Sequence, residues 1–362
     1  MQPEQVLRDL HALWADLGKQ SSESASTVGV LRACAMTLIV MSRGEETGSM
    51  GQDADLARET VGLLMHDHPS RAIIVRPRTR GPEHNGGALS AHVFAECWKP
   101  LSHSEQICSE GIEISDSSGD LMQLARFLVP LQVPDLPVVI WCRDLAALYD
   151  DRYQPIFDLT LANPGSKIIF DSVGAKVPEQ VLEALQRLSR VGYRVADLHW
   201  ARLTGWREVI ANLFDRLPLT ASSVSRVELT FAGEDTTSCA LYLQRWLRHG
   251  LPHVPITLAC VPERADVSDE PSGVRDIRID FHNTGDAKTG NGRPGAGDFV
   301  EVGYAPAADI DHHERCLIVQ GKIGEQEVHS RAMIPNGGEA PLLHEELSIL
   351  GPDPVFSRVL GV

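Results

Sequence analysis

Short apolar runs that alternate with helical segments constrain the fold of this chain more than any other feature. The run from Pro137 to Trp141 is wholly apolar. The mostly apolar runs from Lys167 to Phe170 and from Tyr193 to Ala196 follow it, with a helical pattern between these last two. Strands that are apolar on both faces are typical of parallel sheets that helices cover on both sides. We therefore predict, for residues 1–217, an α/β domain with a mainly parallel sheet and helices on both faces.

The pattern changes after residue 217, where predicted strands follow one another closely. Four of these strands and the closing helix cover residues 276–281, 299–304, 317–320, 327–333 and 339–350. Successive strands without intervening helices pair in antiparallel fashion. We predict an α+β domain with an antiparallel sheet at 218–362. Two domains suit a chain of 362 residues, because one core rarely grows beyond about 300 residues.

Charge and hydropathy restrict the classes of partner. The net charge is −16, and a surface this acidic repels phosphate backbones and anionic lipids, so neither nucleic acid nor membrane is a predicted partner. No apolar run reaches the roughly 18 residues that cross a bilayer, and the N-terminus lacks a signal-peptide pattern. Seven cysteines are scattered without a CxxC motif, which favours reduced thiols and a cytoplasmic protein.

Residues 193–215 combine a helical stripe with a cluster of tryptophan and arginine. Thr204 can cap a helix whose apolar positions recur at helical spacing. Trp200, Arg202, Trp206 and Arg207 lie within eight residues. Tryptophan and arginine dominate binding hot spots, since each removes a large surface from water and keeps a polar group. The cluster therefore indicates either a partner-binding surface or a core helix that carries two solvated arginines.

The same stretch, together with other segments in the same order, resembles the glucose-6-phosphate dehydrogenase assembly protein family (OpcA). The motif of the stretch is Asp197-Leu198-x-Trp200-x-Arg202-Leu203-Thr204-x-Trp206-Arg207-Glu208. The other matching segments are His68–Ile73, Val133–Trp141, Asp171-Ser172, Leu342–Leu350 and Asp353-Pro354-Val355. Because these segments span most of the chain, the resemblance does not rest on one motif.

The resemblance implies a function. Similar proteins bind glucose-6-phosphate dehydrogenase, promote its active oligomer and raise its activity in the oxidative pentose phosphate pathway. We therefore expect a non-catalytic assembly factor and allosteric activator that has this dehydrogenase as its partner and needs no cofactor. Trp200, Arg202, Trp206 and Arg207 are the candidate partner-binding residues.

The ends of the predicted strands offer a rival interpretation. Arg71 opens one strand, and Asp171 and Ser172 follow another, where open α/β sheets bind their ligands. Arg71 could pair with a carboxylate such as Asp171 or lie exposed to solvent. These three positions are candidates for a ligand or interface site, and the rival function is an enzyme or a sensor that acts on a phosphorylated sugar.

Several further motifs carry weaker signals. His66-Asp67-His68 offers two imidazoles, but a zinc site needs three or four ligands, so no metal is predicted. Residues 290–295 fit GxGxxG, yet no strand precedes them. Cys108, in a polar setting, and Cys142, next to Arg143, are the candidate redox thiols. Since the sequence has no close cysteine pair, we expect no redox switch.

Overall fold

The fold is known from a computed structural model. It describes residues 1–23, 29–43, 50–76, 89–99, 105–116, 118–163, 165–216, 221–232, 236–261, 273–282, 297–305, 315–334, 338–349 and 351–362. The chain forms two compact units, each assembled from three segments. Unit 1 comprises Met1–Asp171, Arg187–Ala196 and Leu343–Pro352, and unit 2 comprises Ser172–Gln186, Asp197–Leu342 and Asp353–Val362. The domain boundary predicted at residue 217 falls outside the described residues and stays a prediction.

An eight-stranded sheet organises the first half of the chain. Its strands are β1 (Val30–Arg32), β2 (Met36–Met41), β3 (Ser70–Arg76), β4 (Leu89–Trp98), β5 (Gln106–Asp116), β6 (Val138–Cys142), β7 (Lys167–Phe170) and β8 (Val195–Asp197). They lie in the order β1-β5-β3-β2-β6-β7-β8, and β4 pairs with β5. Neighbouring strands in the series β1-β5-β3-β2-β6-β7 are parallel to each other, whereas β4 runs antiparallel to β5. The prediction of a mainly parallel sheet is confirmed.

The central strands are buried along their whole length. Every residue of β2, β6 and β7 is buried, including Lys167, which donates to the Glu346 carboxylate at 2.8 Å. This burial is what the continuous apolar runs predicted, because water reaches neither face of such strands. Phe94 of β4 covers Gly111 of β5 so closely that a Cβ atom on the glycine would clash with its ring.

A six-stranded mixed sheet organises the second half. Its strands are β9 (Val224–Ala232), β10 (Ile256–Val261), β11 (Val274–Phe281), β12 (Phe299–Tyr304), β13 (Arg315–Ile323) and β14 (Gln326–Ile334), in the order β10-β9-β11-β12-β13-β14. All neighbours are antiparallel except β9 and β10, which are parallel because the helix Ser238–Gly250 connects them. The predicted fold class is confirmed, with this one parallel pair in the antiparallel sheet.

Ten α-helices lie in the described part of the chain. They are α1 (Pro3–Glu23), α2 (Met50–Leu64), α3 (Leu121–Leu128), α4 (Gln154–Thr160), α5 (Pro178–Val191), α6 (Leu198–Ala201), α7 (Thr204–Arg216), α8 (Ser238–Gly250), α9 (Glu339–Ser348) and α10 (Pro354–Leu360). Among the residues described, no helix is both long enough and apolar enough to cross a membrane.

Candidate functional site

The motif stretch begins at a buried polar cluster around Asp197, the last residue of β8. One carboxylate oxygen of Asp197 accepts the backbone N–H groups of Ser172, at 3.0 Å, and of His199, at 2.9 Å. The other accepts the Tyr242 hydroxyl at 2.6 Å. Burial, and then the Asp197 charge, raise the pKa of Tyr242 well above its ordinary value, so its hydroxyl stays protonated and donates. Asp197 thus ties α6 to α8.

Ser172, one of the candidate ligand positions, belongs to this cluster. Its hydroxyl oxygen lies 3.2 Å from Nδ1 of His199, and both residues are buried. The set resembles a serine–histidine–aspartate triad in composition only, because Asp197 accepts from the backbone of His199. In a working triad the aspartate orients the imidazole and the serine meets substrate. The geometry therefore supports a structural role for Ser172, while the adjacent Asp171 is partly exposed.

Trp200 is packed inside unit 2 and is 3% exposed. Its indole N–H donates to Asp353 at 2.8 Å, and its ring stacks on Phe356 with 5.4 Å between ring centroids. Tyr242 meets the same indole edge-on at 6.1 Å. Asp353 also caps α10 by accepting the N–H groups of Val355 and Phe356. Trp200 therefore fixes the N-terminus of α10.

The Arg207 guanidinium lies over the Trp200 indole ring. Its guanidinium carbon is 3.7 Å from the ring centroid, and Nη2 donates to the Thr204 hydroxyl at 2.9 Å. Burial lowers the pKa of Arg207 to about 10, against the opposing charges of Asp353 and Glu208. At neutral pH the group is still cationic. It is a partly exposed positive charge held over an aromatic face, the arrangement of a cation–π pair.

Trp206 is fully buried and anchors α7 to the mixed sheet. Its indole N–H lies 3.2 Å from the hydroxyl oxygen of Tyr304 on β12, and the two rings meet edge-on at 5.3 Å. The neighbouring Gly205 lies against Ile334 of β14, so close that a Cβ atom would clash. The small residue and the indole together seat the first turn of α7 on the sheet.

The four candidate partner-binding residues thus divide into two pairs. Trp200 and Trp206 are interior, whereas Arg202 and Arg207 are partly exposed. Their role in binding a partner stays a prediction. The sequence interpretation missed Tyr242 and Asp353 as the residues that hold the motif in place. The matching Asp353-Pro354-Val355 segment was the available signal, but nothing in the sequence links it to Trp200.

Arg71, the third strand-end candidate, lies in unit 1 and pairs with Glu110. Its Nε donates to Glu110 at 2.6 Å, and Nη1 donates to the Leu131 carbonyl at 2.8 Å. Glu110 also accepts from Trp14 and Arg32, each at 2.6 Å. The suggested pairing with Asp171 is therefore corrected. The carboxylate partner of Arg71 is Glu110 on the adjacent strand β5, and Arg71 is buried rather than solvated.

Opposing effects act on the pKa of Glu110. Burial favours the neutral acid, but the Arg71 charge and the hydrogen bonds from Trp14, Arg71 and Arg32 outweigh it, so the pKa lies below its ordinary value. The carboxylate is ionised at neutral pH. Together with its donors it forms an internal ion cluster that joins α1, β1, β3 and β5.

The two candidate redox cysteines have different environments. Cys108 is buried and bonded to Cys97, which lies directly opposite on the antiparallel pair β4–β5. The expectation of reduced thiols without a close cysteine pair is therefore wrong for these two residues, because the antiparallel pairing of β4 and β5 brings together cysteines that ten residues separate in the sequence. Cys142 is a free thiol, but burial, and then the Asp144 charge, raise its pKa far above the ordinary value. The adjacent Arg143 is directed to Asp53, with Nη2 donating at 2.8 Å.

The structure describes some of the weaker sequence motifs. His66 stacks on Trp98, and Nε2 of His68 lies 3.2 Å from Nδ1 of His344. Within the described ranges no group of three or more potential ligands could hold a metal ion. The GxGxxG segment at 290–295 lies outside the described residues.

Solved structures resemble the chain only distantly. Glucose-6-phosphate 1-dehydrogenase from Mycobacterium avium matches with 12% identity and a TM-score of 0.40, over 90% of each chain. A 3-ketoreductase from Actinomadura kijaniata matches with 7% identity and a TM-score of 0.43, over 90% of this chain and 94% of the other. At these scores the similarities carry no argument about function.

Sequence relatives are more informative. A protein of Synechococcus elongatus named as the OxPP cycle protein OpcA is 24% identical over 314 residues, which cover 83% of this chain and 68% of the relative. Its namesake from Nostoc punctiforme is 28% identical over 60% of this chain and 46% of the relative. The chain thus spans about two thirds of the first relative and less than half of the second.

Two family models match successive parts of the chain. The model described as the glucose-6-phosphate dehydrogenase subunit N-terminal domain matches residues 62–187, and the one described as its C-terminal domain matches residues 193–360. Together they cover most of the chain, including the whole motif stretch and the α10 cap at Asp353. The chain therefore belongs to the glucose-6-phosphate dehydrogenase assembly protein family (OpcA).

Proposed function

We propose that this chain is a non-catalytic subunit that binds glucose-6-phosphate dehydrogenase, favours its active oligomer and raises its activity in the oxidative pentose phosphate pathway. The observation that carries the proposal is the succession of the two family models, each described as a domain of a glucose-6-phosphate dehydrogenase subunit. The names of the two sequence relatives, which place those proteins in the OxPP cycle, point the same way.

The geometry of the strand ends supports a non-catalytic role. Ser172 and His199 are buried and bonded within the Asp197 cluster. Arg71 is committed to Glu110. Residues that would bind a phosphorylated sugar must reach solvent, and these polar groups instead satisfy one another inside the protein.

An activator works by binding the active form of its partner more tightly than the inactive form. Each tenfold difference in affinity shifts the partner's equilibrium by about 1.4 kcal/mol. Arg202 and Arg207 are partly exposed residues, and their positive charges suit a contact with carboxylates of the dehydrogenase. Such a contact requires no catalytic reaction by the subunit itself.

Steady-state kinetics tests the proposal. Initial rates of the dehydrogenase are measured against glucose 6-phosphate concentration, with and without saturating subunit, and the subunit is assayed alone. We expect a lower KM or a higher kcat in the mixture and no turnover by the subunit. Turnover of a phosphorylated sugar by the subunit alone, or unchanged rates in the mixture, would contradict the proposal.

A further inference from the structure

Unit 2 contains an apolar groove that is separate from the motif residues. Its walls come from α7, α8 and α10, and its volume is about 450 Å³. The apolar residues that shape it include Ala211, Phe214, Trp246, Leu251 and Val359. Grooves between helices with an aromatic wall are typical receptors for an apolar segment of another protein. Trp246 is only partly buried, so its indole is available to such a segment.

The polar residues of the groove are basic. Of the described lining residues, the ionisable ones are His249 and Arg358, at the ends of α8 and α10. Arg358 is exposed, and Nε donates to the Pro354 carbonyl at 3.1 Å. No carboxylate among the described residues forms an ion pair with Arg358. The positive charge of Arg358 at the groove edge therefore favours an acidic ligand.

The motif residues position the groove without lining it. Trp200 holds α10 through Asp353 and Phe356, and α10 supplies Val355, Arg358 and Val359 to the groove. Trp206 seats α7, which supplies Ile210, Ala211 and Phe214. Burial of both tryptophans is thus compatible with a binding role, because each fixes one wall of the groove.

We propose that this groove binds an apolar segment of glucose-6-phosphate dehydrogenase that carries a carboxylate beside its apolar side chains. The inference rests on the proposed function and adds the surface and the chemistry of the contact. Apolar side chains of the segment enter between α7, α8 and α10, and its carboxylate pairs with Arg358. Trp246 is the expected anchor, since tryptophan and arginine contribute most at interface centres.

Two matched pairs of variants test the groove. Ala211→Gln places a polar amide in the groove, whereas Asn212→Gln places the same amide at the next, also exposed position of α7, outside the groove. Gln is a good helix former, so α7 should persist in both. Arg358→Glu reverses the charge at the edge, and Arg248→Glu reverses an exposed charge on α8 that does not line the groove.

The readout is the Kd for the full-length dehydrogenase, measured by biolayer interferometry. We expect Ala211→Gln to weaken binding at least fivefold and Arg358→Glu at least tenfold, with both controls within twofold of wild type. Wild-type affinity in both groove variants would overturn the groove assignment and leave the proposed function standing. If the wild-type chain does not bind the dehydrogenase, the proposed function and the groove assignment are both overturned. If Ala211→Gln lowers the unfolding temperature, the comparison of Arg358→Glu with Arg248→Glu alone tests the groove, because both residues are exposed.

Discussion

At the scale of single residues, Glu110 is the acceptor at the centre of a buried ion cluster in unit 1. Its carboxylate accepts from Trp14, Arg32 and Arg71, and both Arg71 and Glu110 are nearly inaccessible to water. A buried ion cluster is costly to break, because removing one partner leaves the other charge without compensation. The sequence could not reveal this pairing, since Arg71 and Glu110 are 39 positions apart.

We expect Glu110→Gln to lower the free energy of unfolding by about 3 kcal/mol, since the amide cannot neutralise Arg71. Urea denaturation at pH 7 measures this change. The folded-state pKa of Glu110 is depressed below its ordinary value, so its stabilising effect is fully present above the unfolded-state pKa and is lost as the pH falls through the folded-state pKa. The variant should therefore lose less stability than wild type on acidification. A cost below about 1 kcal/mol at pH 7 would show that the cluster contributes little.

Arg207 allows a test of the motif surface at the same scale. Arg207→Ala removes a partly exposed charge over Trp200, which should raise the Kd for the dehydrogenase about tenfold while lowering stability by only about 1 kcal/mol. Titration calorimetry and thermal unfolding separate the two effects. An unchanged Kd for the folded variant would remove Arg207 from the interface.

At the scale of elements, apolar patterns in the sequence predicted the strands and helices, because interactions between residues close in sequence largely determine them. The apolar runs of β6 and β7 appear as buried strands, and the stripe that includes Trp206 and Leu213 appears as the buried face of α7. Partners distant in sequence were not predictable. Trp200 and Asp353 are 153 positions apart, so the sequence showed a tryptophan-rich motif but not which group its indole N–H would meet.

The cap of α10 connects an element to the proposed binding. Asp353→Ala removes both the α10 cap and the acceptor for Trp200, so we expect a loss of about 2 kcal/mol in unfolding free energy and weaker binding of the dehydrogenase. Asp120→Ala is the matched control, because Asp120 caps α3 in unit 1 with the same pair of backbone bonds. The control should lose stability without losing affinity. Equal affinity of the two variants for the dehydrogenase would show that α10 does not contribute to the interface.

At the scale of the whole molecule, we propose that the chain acts as a binding subunit. Its fold class and family follow from the sequence, since strand patterns and motif order extend over most of the chain. The proposed binding surface does not, because the α7–α8–α10 groove unites residues from positions 210 to 359, of which only Val355 belongs to a matching family segment. The tryptophans of the motif contribute by holding these helices in place.

Sedimentation velocity of the chain mixed with its cognate glucose-6-phosphate dehydrogenase tests whether the two proteins form a complex. We predict a species heavier than either protein alone that contains both, together with a shift of the dehydrogenase toward its active oligomer. Independent sedimentation of the two proteins at micromolar concentrations, with no change in the dehydrogenase oligomer, would contradict the account.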